Sequence, residues 1–378
     1  MLKHISGAVL LAAVQSLFPS LATAQTAGSL VSADPVVETP GGMQAWRISY
    51  WTTDQDGRPG QVTGMIVAPR EATPPAPRKV IAWAHGTSGV AEKCALSTHA
   101  DFFTATPGLA DMIRRGYTVV APDYPGLGSA MPHPYLLGGE TARSVLDAVR
   151  AARGIPGAAS GATFAVWGES QGGHAALWTA SEARSYAPEL ALIATAAAAP
   201  PTDLAANLRL GSDANVKAML SAFTLQSWSR RFGYSLTPTV NRANAGVVKR
   251  LAQNNCIELG KNPRLGTILG VVSVRNALKG KDIGGIAPWS GVVRANSVVP
   301  RRVPGPLLIA QSVDDPVVAP AVTRTFARQW CRTGRALRYV SLPGADHGHS
   351  ARDSAAVTLD WIDARFAGAP PPSDCRTL

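Results

Sequence analysis

The chain has 378 residues, of which 46% are hydrophobic and 16% charged. This composition excludes an intrinsically disordered chain, and the length exceeds one minimal domain, so one core carrying an embedded second piece is expected. The formal net charge is +11, yet the pairs Arg114/Arg115, Arg230/Arg231 and Arg301/Arg302 lie far apart. The basicity therefore reads as a soluble surface, and no nucleic-acid partner is expected.

At the N-terminus, Lys3 and His4 precede an apolar run from Ile5 to Phe18, followed by the small-residue sequence Ala22, Thr23, Ala24. A membrane span takes about 20 apolar residues, and this run is shorter and contains Gln15. The reading is a cleavable export signal over 1–24 and a secreted or periplasmic product. No later stretch competes as a transmembrane span. The four cysteines form no CxxC pair, so in an oxidising compartment they read as disulfides, and four cysteines permit three pairings.

Two strands are predicted first, Met43 to Thr52 and Gln61 to Ala68, around the turn signal Asp56, Gly57, Arg58, Pro59, Gly60; they read as a hairpin at a sheet edge. Short apolar runs follow at Lys79 to Ala84, Tyr117 to Ala121, Thr163 to Trp167, Leu190 to Ala198, Pro306 to Ala310 and Ala336 to Ser341. Helical patterns alternate with most of them: Asp101 to Arg115, Glu140 to Arg153, Gln171 to Ser185, Ala319 to Arg332 and Ala351 to Phe366. Alternation of this kind implies a mostly parallel sheet flanked by helices, an α/β class whose chemistry lies at the strand C-terminal ends. Between Pro200 and Pro304 the alternation stops, and two amphipathic stretches appear, Ala214 to Arg231 and Arg242 to Gln253. An insertion there is expected to cover the strand ends as a helical cap.

Gly168, Glu169, Ser170, Gln171, Gly172 spell GxSxG. The five-residue pattern is weak alone. Here, however, a strand run leads into it and a helical run leads out, which is the setting of a nucleophile elbow that exposes the serine hydroxyl at a strained corner. A serine needs a base and a carboxylate to orient that base, in the chain order Ser, Asp or Glu, His for this fold. Asp315 follows the run Pro306 to Ala310 and directly precedes Pro316, with Asp314 as the alternative; His347 follows the last strand, with His349 in reserve. A zinc site from Asp346, His347 and His349 lacks further ligands. Oxyanion donors are expected at the backbone of Gln171 and of Thr87, in the loop His85, Gly86, Thr87. His85 and His174 read as structural, Asp123 as a turn-former and Glu169 as an orienting residue. The geometry of such a site is that of acyl transfer without metal or organic cofactor. Phe223, Trp228 and Trp289 offer acyl-chain contacts within the insertion, although a helical aromatic stripe equally serves packing. A peptidase or amidase, and a non-catalytic binding protein of the same fold, are the rival readings.

AWAHGTSG at Ala82 to Gly89, Cys94 in CALS, APDYPGLG at Ala121 to Gly128, GESQGG at Gly168 to Gly173, DDPVV at Asp314 to Val318 and GADH at Gly344 to His347 together resemble the secretory lipases of the fungal lipase A type and their bacterial relatives. The resemblance implies an α/β-hydrolase fold, a core over 25–201 and 301–378, and a helical cap over 202–300. It implies the triad Ser170, Asp315 and His347, a small-molecule or lipid ester as substrate with transient contact to a lipid interface, and disulfides Cys94–Cys256 and Cys331–Cys375. Two departures stand out: Leu96 occupies a position where related sequences usually have proline, and Glu169 a position that varies among them.

Overall fold

The computed structural model describes residues 25–378 except 72, 73, 75, 258–261 and 345; the expected export signal, 1–24, lies outside the described residues. Among these, nine strands build one sheet: β1 (Leu30–Pro35), β2 (Met43–Thr53), β3 (Pro59–Pro69), β4 (Arg78–Ala84), β5 (Thr118–Pro122), β6 (Ser160–Glu169), β7 (Ala191–Ala198), β8 (Leu307–Ser312) and β9 (Leu337–Leu342). Their spatial order is β1-β2-β3-β5-β4-β6-β7-β8-β9. The pairs β1/β2, β2/β3 and β3/β5 are antiparallel, and the pairs from β5/β4 through β8/β9 are parallel. This is the α/β-hydrolase arrangement.

Burial explains the two kinds of strand. In β2 the residues alternate between buried and accessible, as a strand covered mainly on one face requires. β5 and β8 are buried at every position, as parallel strands covered on both faces must be. Along β4 and β6 the faces separate cleanly. Val80, Ala82, Phe164 and Val166 pack with the helices Gly138–Ala152 and Gln171–Tyr186, while Ile81, Trp83, Ala165 and Trp167 pack with Leu109–Arg114 and Ala355–Phe366.

Three expectations are corrected. The hairpin β2/β3 does not lie at the sheet edge, because β1 pairs along β2 and takes the edge itself. The expected helix Asp101 to Arg115 is two short helices, Phe102–Ala105 and Leu109–Arg114; Pro107 cannot continue the first, and Gly108 takes φ 67° at the start of the second. The expected helix Ala351 to Phe366 likewise divides into Ser350–Asp353 and Ala355–Phe366.

Between β7 and β8 the chain leaves the sheet for the helices Leu204–Leu210, Ala214–Phe232, Arg242–Asn254, Leu265–Ala277 and Trp289–Asn296. Side chains of Asp203, Asp213 and Asn241 cap the first three by accepting from backbone N–H groups, which satisfies donors a helix start leaves free. These helices enclose their own core, in which Leu225, Trp228, Val248, Leu251, Trp289 and Val293 are buried.

Two disulfides are present, Cys94–Cys256 and Cys331–Cys375. The first joins the loop after β4 to the end of the helix Arg242–Asn254, where Ile257 N–H also donates to Ser88 O at 2.7 Å. The second anchors the C-terminal tail, and Asp374 adds to it by accepting from Arg338 and from Tyr339 N–H.

Candidate active site

At the end of β6 the chain turns into the helix Gln171–Tyr186 through Ser170, which holds φ 55° and ψ −118°. A non-glycine residue persists in that region only where its surroundings over-determine it. Here Ser170 N–H donates to Ala198 O at 2.8 Å, and Ser170 O accepts from His174 N–H at 3.0 Å. Close approach dictates the flanking glycines: a Cβ at Gly168 would stand 2.2 Å from Gly172 O, and one at Gly172 only 1.8 Å from Ala84 O. No side chain fits at either position, so β4, β6 and the helix meet backbone to backbone beneath the serine.

The Ser170 hydroxyl lies 2.8 Å from His347 Nε2, and His347 Nδ1 lies 2.8 Å from Asp315 Oδ2. Nδ1–H donating to the carboxylate leaves Nε2 as the acceptor of the serine proton. Asp315 is itself held on three further sides. Its Oδ1 accepts from Val317 N–H and Val318 N–H, both at 2.8 Å, and its Oδ2 accepts from Gln311 Nε2 at 3.0 Å. The carboxylate is fully enclosed, with 0% side-chain exposure. Asp314 is exposed, and the carboxylate that His347 meets is that of Asp315. His349 instead pairs with Asp346 at 2.8 Å. Both ring nitrogens of His347 are thus engaged within the Ser–His–Asp row, which removes it from any zinc site with Asp346 and His349.

Gln171 opens its helix, so its N–H lacks an intrahelical acceptor. The loop after β4 runs beside it: a Cβ at Gly86 would lie 3.9 Å from Ser170 Cβ, and Thr87 Oγ1 meets Tyr135 OH at 2.9 Å. Among the described residues, neither Thr87 N–H nor Gln171 N–H has a protein acceptor. His85 is buried against Tyr124, its ring nitrogens facing the carbonyls of Gly86 and Asp123, and burial holds its pKa below the ordinary value. Asp123 is a buried clamp, accepting from Ser97 N–H, Ser97 Oγ and Thr63 Oγ1. His174 meets Asn296 O at 2.8 Å, and burial pushes its pKa down to about 4. It is a neutral packing residue between the elbow and the helix Trp289–Asn296.

Glu169 sits behind the elbow. Its Oε1 accepts from Ala351 N–H at 2.7 Å, which ties the end of β6 to the segment that follows His347. Burial pushes the Glu169 carboxyl up to about 7, against the opposing pull of the Ala351 N–H and of His347.

A cavity of about 70 Å³ opens over Ser170 and Gln171, walled by Leu204, Leu208, Leu220 and Trp228 from the helical segment and by Val317 from the loop bearing Asp315. Of the three aromatic side chains expected to contact an acyl chain, only Trp228 reaches it. Phe223 is buried in a separate cluster with Val90, Tyr135 and Ala252, and Trp289 packs against Trp228 and Tyr234 while its Nε1–H donates to Thr239 Oγ1. Their helical stripe serves packing. The aliphatic wall escaped the sequence reading because leucines at helical spacing carry no chemical mark. The signal available was position: Leu204 and Leu208 lie just past β7, beside the elbow.

Comparison with known proteins follows the same lines. A family model described as secretory lipase matches residues 92–374. The chain is 27% identical over 354 residues to Lipase 4 of Candida albicans, covering 88% of this chain and 74% of that one. It is 24% identical over 360 residues to a Mycobacterium tuberculosis protein named "Probable inactive lipase", covering 88% and 75%. The crystal structure of Candida antarctica lipase A in its closed state superposes with a TM-score of 0.75 at 19% identity, covering 93% of this chain and 84% of that one, which shows the shared fold. With the family model matching most of the chain, this protein belongs to the secretory lipase family, a family of carboxylic ester hydrolases of the α/β-hydrolase fold.

Proposed function

We propose that the protein is a secreted or periplasmic serine esterase or lipase in which Ser170, His347 and Asp315 form the catalytic triad, with an export signal over 1–24. The observation that carries this reading is the unbroken row of two 2.8 Å hydrogen bonds from a strained serine, through one imidazole, to a fully enclosed carboxylate. Ser170 Oγ attacks the ester carbonyl carbon as His347 Nε2 takes its proton, and the carbonyl oxygen gains negative charge beside the N–H groups of Thr87 and Gln171. Collapse expels the alcohol, which receives the proton from His347, and leaves an acyl-serine. Water then repeats the cycle: His347 takes its proton, the hydroxide oxygen bonds the acyl carbon, and Ser170 leaves with the proton restored. Asp315 stays ionised throughout and stabilises the imidazolium.

The helical segment 202–300 serves as a cap over this centre, pinned to the core by Cys94–Cys256. Trp228 and the leucine wall favour an apolar acyl or alcohol group of a small-molecule or lipid ester. Because one relative bears the name of an inactive lipase, the decisive test is turnover. Ser170→Ala is expected to lower kcat on a 4-nitrophenyl acyl ester by at least ~10³-fold with an unchanged melting temperature. Wild-type activity in that variant would refute the assignment, and faster cleavage of the matching 4-nitroanilide would favour an amidase.

A further inference from the structure

Next to the small cavity over Ser170 lies a far larger cleft of about 670 Å³ in the helical segment. Leu208 and Lys217 line both spaces, so the cleft adjoins the cavity that faces the nucleophile. Its walls carry Arg209, Lys217, Arg275, Lys279 and Lys281 against one acidic side chain, Asp282. Asp282 lies 3.5 Å from Arg209, which leaves four cations without a carboxylate partner among the described residues. Neutral oxygens hold three of them in place: Lys217 Nζ donates to Arg209 O at 3.4 Å, Arg275 Nη1 to Asn215 Oδ1 at 3.0 Å and Lys281 Nζ to Thr239 O at 2.5 Å. Asp213, which lines the inner cavity, is committed to capping its helix through Asn215 N–H and Val216 N–H. Cations dispersed on a convex surface are each solvated separately. Several converging on a concave wall raise the local potential and attract an anion.

We propose that this cleft binds an anionic group carried by the substrate, a carboxylate or phosphate remote from the scissile ester, so that the enzyme selects anionic esters over neutral ones. The proposal rests on Ser170 being the nucleophile beneath the adjoining cavity. Adjacency across Leu208 and Lys217 favours the substrate as the source of the anion over a membrane surface: an ester seated on Ser170 with a long enough chain would reach the basic cleft past these two residues.

The test compares mono-4-nitrophenyl esters of dicarboxylic acids with neutral 4-nitrophenyl alkanoates of equal chain length. Wild-type protein is expected to show a higher kcat/KM for the anionic member once the spacer spans from the cavity to the cleft, with the advantage shrinking as salt rises. The double variant Arg275→Gln/Lys279→Gln is expected to reduce the anionic-to-neutral ratio by about tenfold; a ratio within twofold of wild type overturns the proposal. Stimulation of neutral-ester hydrolysis by phosphatidylglycerol vesicles, with no preference between the soluble esters, overturns it in favour of a membrane surface. Calorimetric titration of Ser170→Ala protein with the anionic monoester separates this claim from the catalytic one. If wild type turns over neither ester, the triad reading fails, while weaker monoester binding by about tenfold when Arg275→Gln/Lys279→Gln is added to Ser170→Ala still supports the cleft, and unchanged binding overturns it.

Discussion

A helix packed on the sheet and one in the helical segment between β7 and β8 are buried to very different degrees. In the helix Gly138–Ala152, which packs on the sheet, all residues except Arg143 and Arg150 are buried. In the helix Leu265–Ala277 only Val274 is, and Leu265 and Leu269 are 71% and 61% exposed. Ser170, Asp315 and His347 all follow strands of the sheet, where neighbouring backbones define each position. The wall of the cavity and the basic cleft come chiefly from the helical segment. On the proposed reading, reaction geometry belongs to the sheet and selection among substrates to the more loosely packed helical segment.

Four further variants probe that division, starting with the largest effect. Asp315→Asn is expected to reduce kcat by ~10³–10⁴-fold, because the amide cannot orient His347 as the carboxylate does, while Asp314→Asn stays within about threefold. Steady-state kinetics on a chromogenic ester decides between the two, and equal losses would mean that the row seen at Asp315 does not operate. Next, the paired change Cys94→Ser/Cys256→Ser, which opens a separation of 162 residues, is expected to cost about 2–5 kcal/mol of stability. Urea unfolding measures it, and a proteolytic cleavage pattern confined at first to 202–300 would locate the loosening in the helical segment.

The last effect concerns the sheet and depends on pH. The Glu169 carboxyl is pushed up to about 7 in the folded protein, above its range of about 4.3 in an unfolded chain. Between these values the unfolded chain releases a proton that the folded protein keeps, so the contribution of Glu169 is fully present below the lower value and is lost as pH rises towards 7. The loss amounts to roughly 3 to 4 kcal/mol at most. Glu169→Gln is expected to flatten the stability profile between about pH 4 and 7; an unchanged slope would show that another group sets it.

How much of this was legible in the sequence follows from the same contrast. Runs such as LLIAQS in β8 announce strands buried on both faces, and the order of Ser170, Asp315 and His347 along the chain is the order in which the sheet presents them. The choice between Asp314 and Asp315 was not legible from pattern alone, since both sit in the same turn and only three-dimensional closure shows which one accepts from Val317, Val318 and His347. β1 escaped notice because LVSADP lacks an alternating apolar face, and β2 supplies most of what makes it a strand. In the helical segment, aromatic residues drew attention as ligand contacts, yet Phe223 and Trp289 are consumed in packing. The basic cleft was invisible for a related reason: Arg209, Lys217, Arg275, Lys279 and Lys281 come from separate stretches of chain that look like scattered surface charge until the helices bring them together.

Activation of Ser170 by His347 carries the proposed chemistry. The most direct measurement is stoichiometric labelling with a fluorophosphonate followed by peptide mass analysis, on wild type, His347→Ala and His349→Ala. One label per chain is expected on Ser170 in wild type and His349→Ala, with slowing by at least ~10³-fold in His347→Ala. Label on another residue, or equal rates in all three proteins, would contradict it.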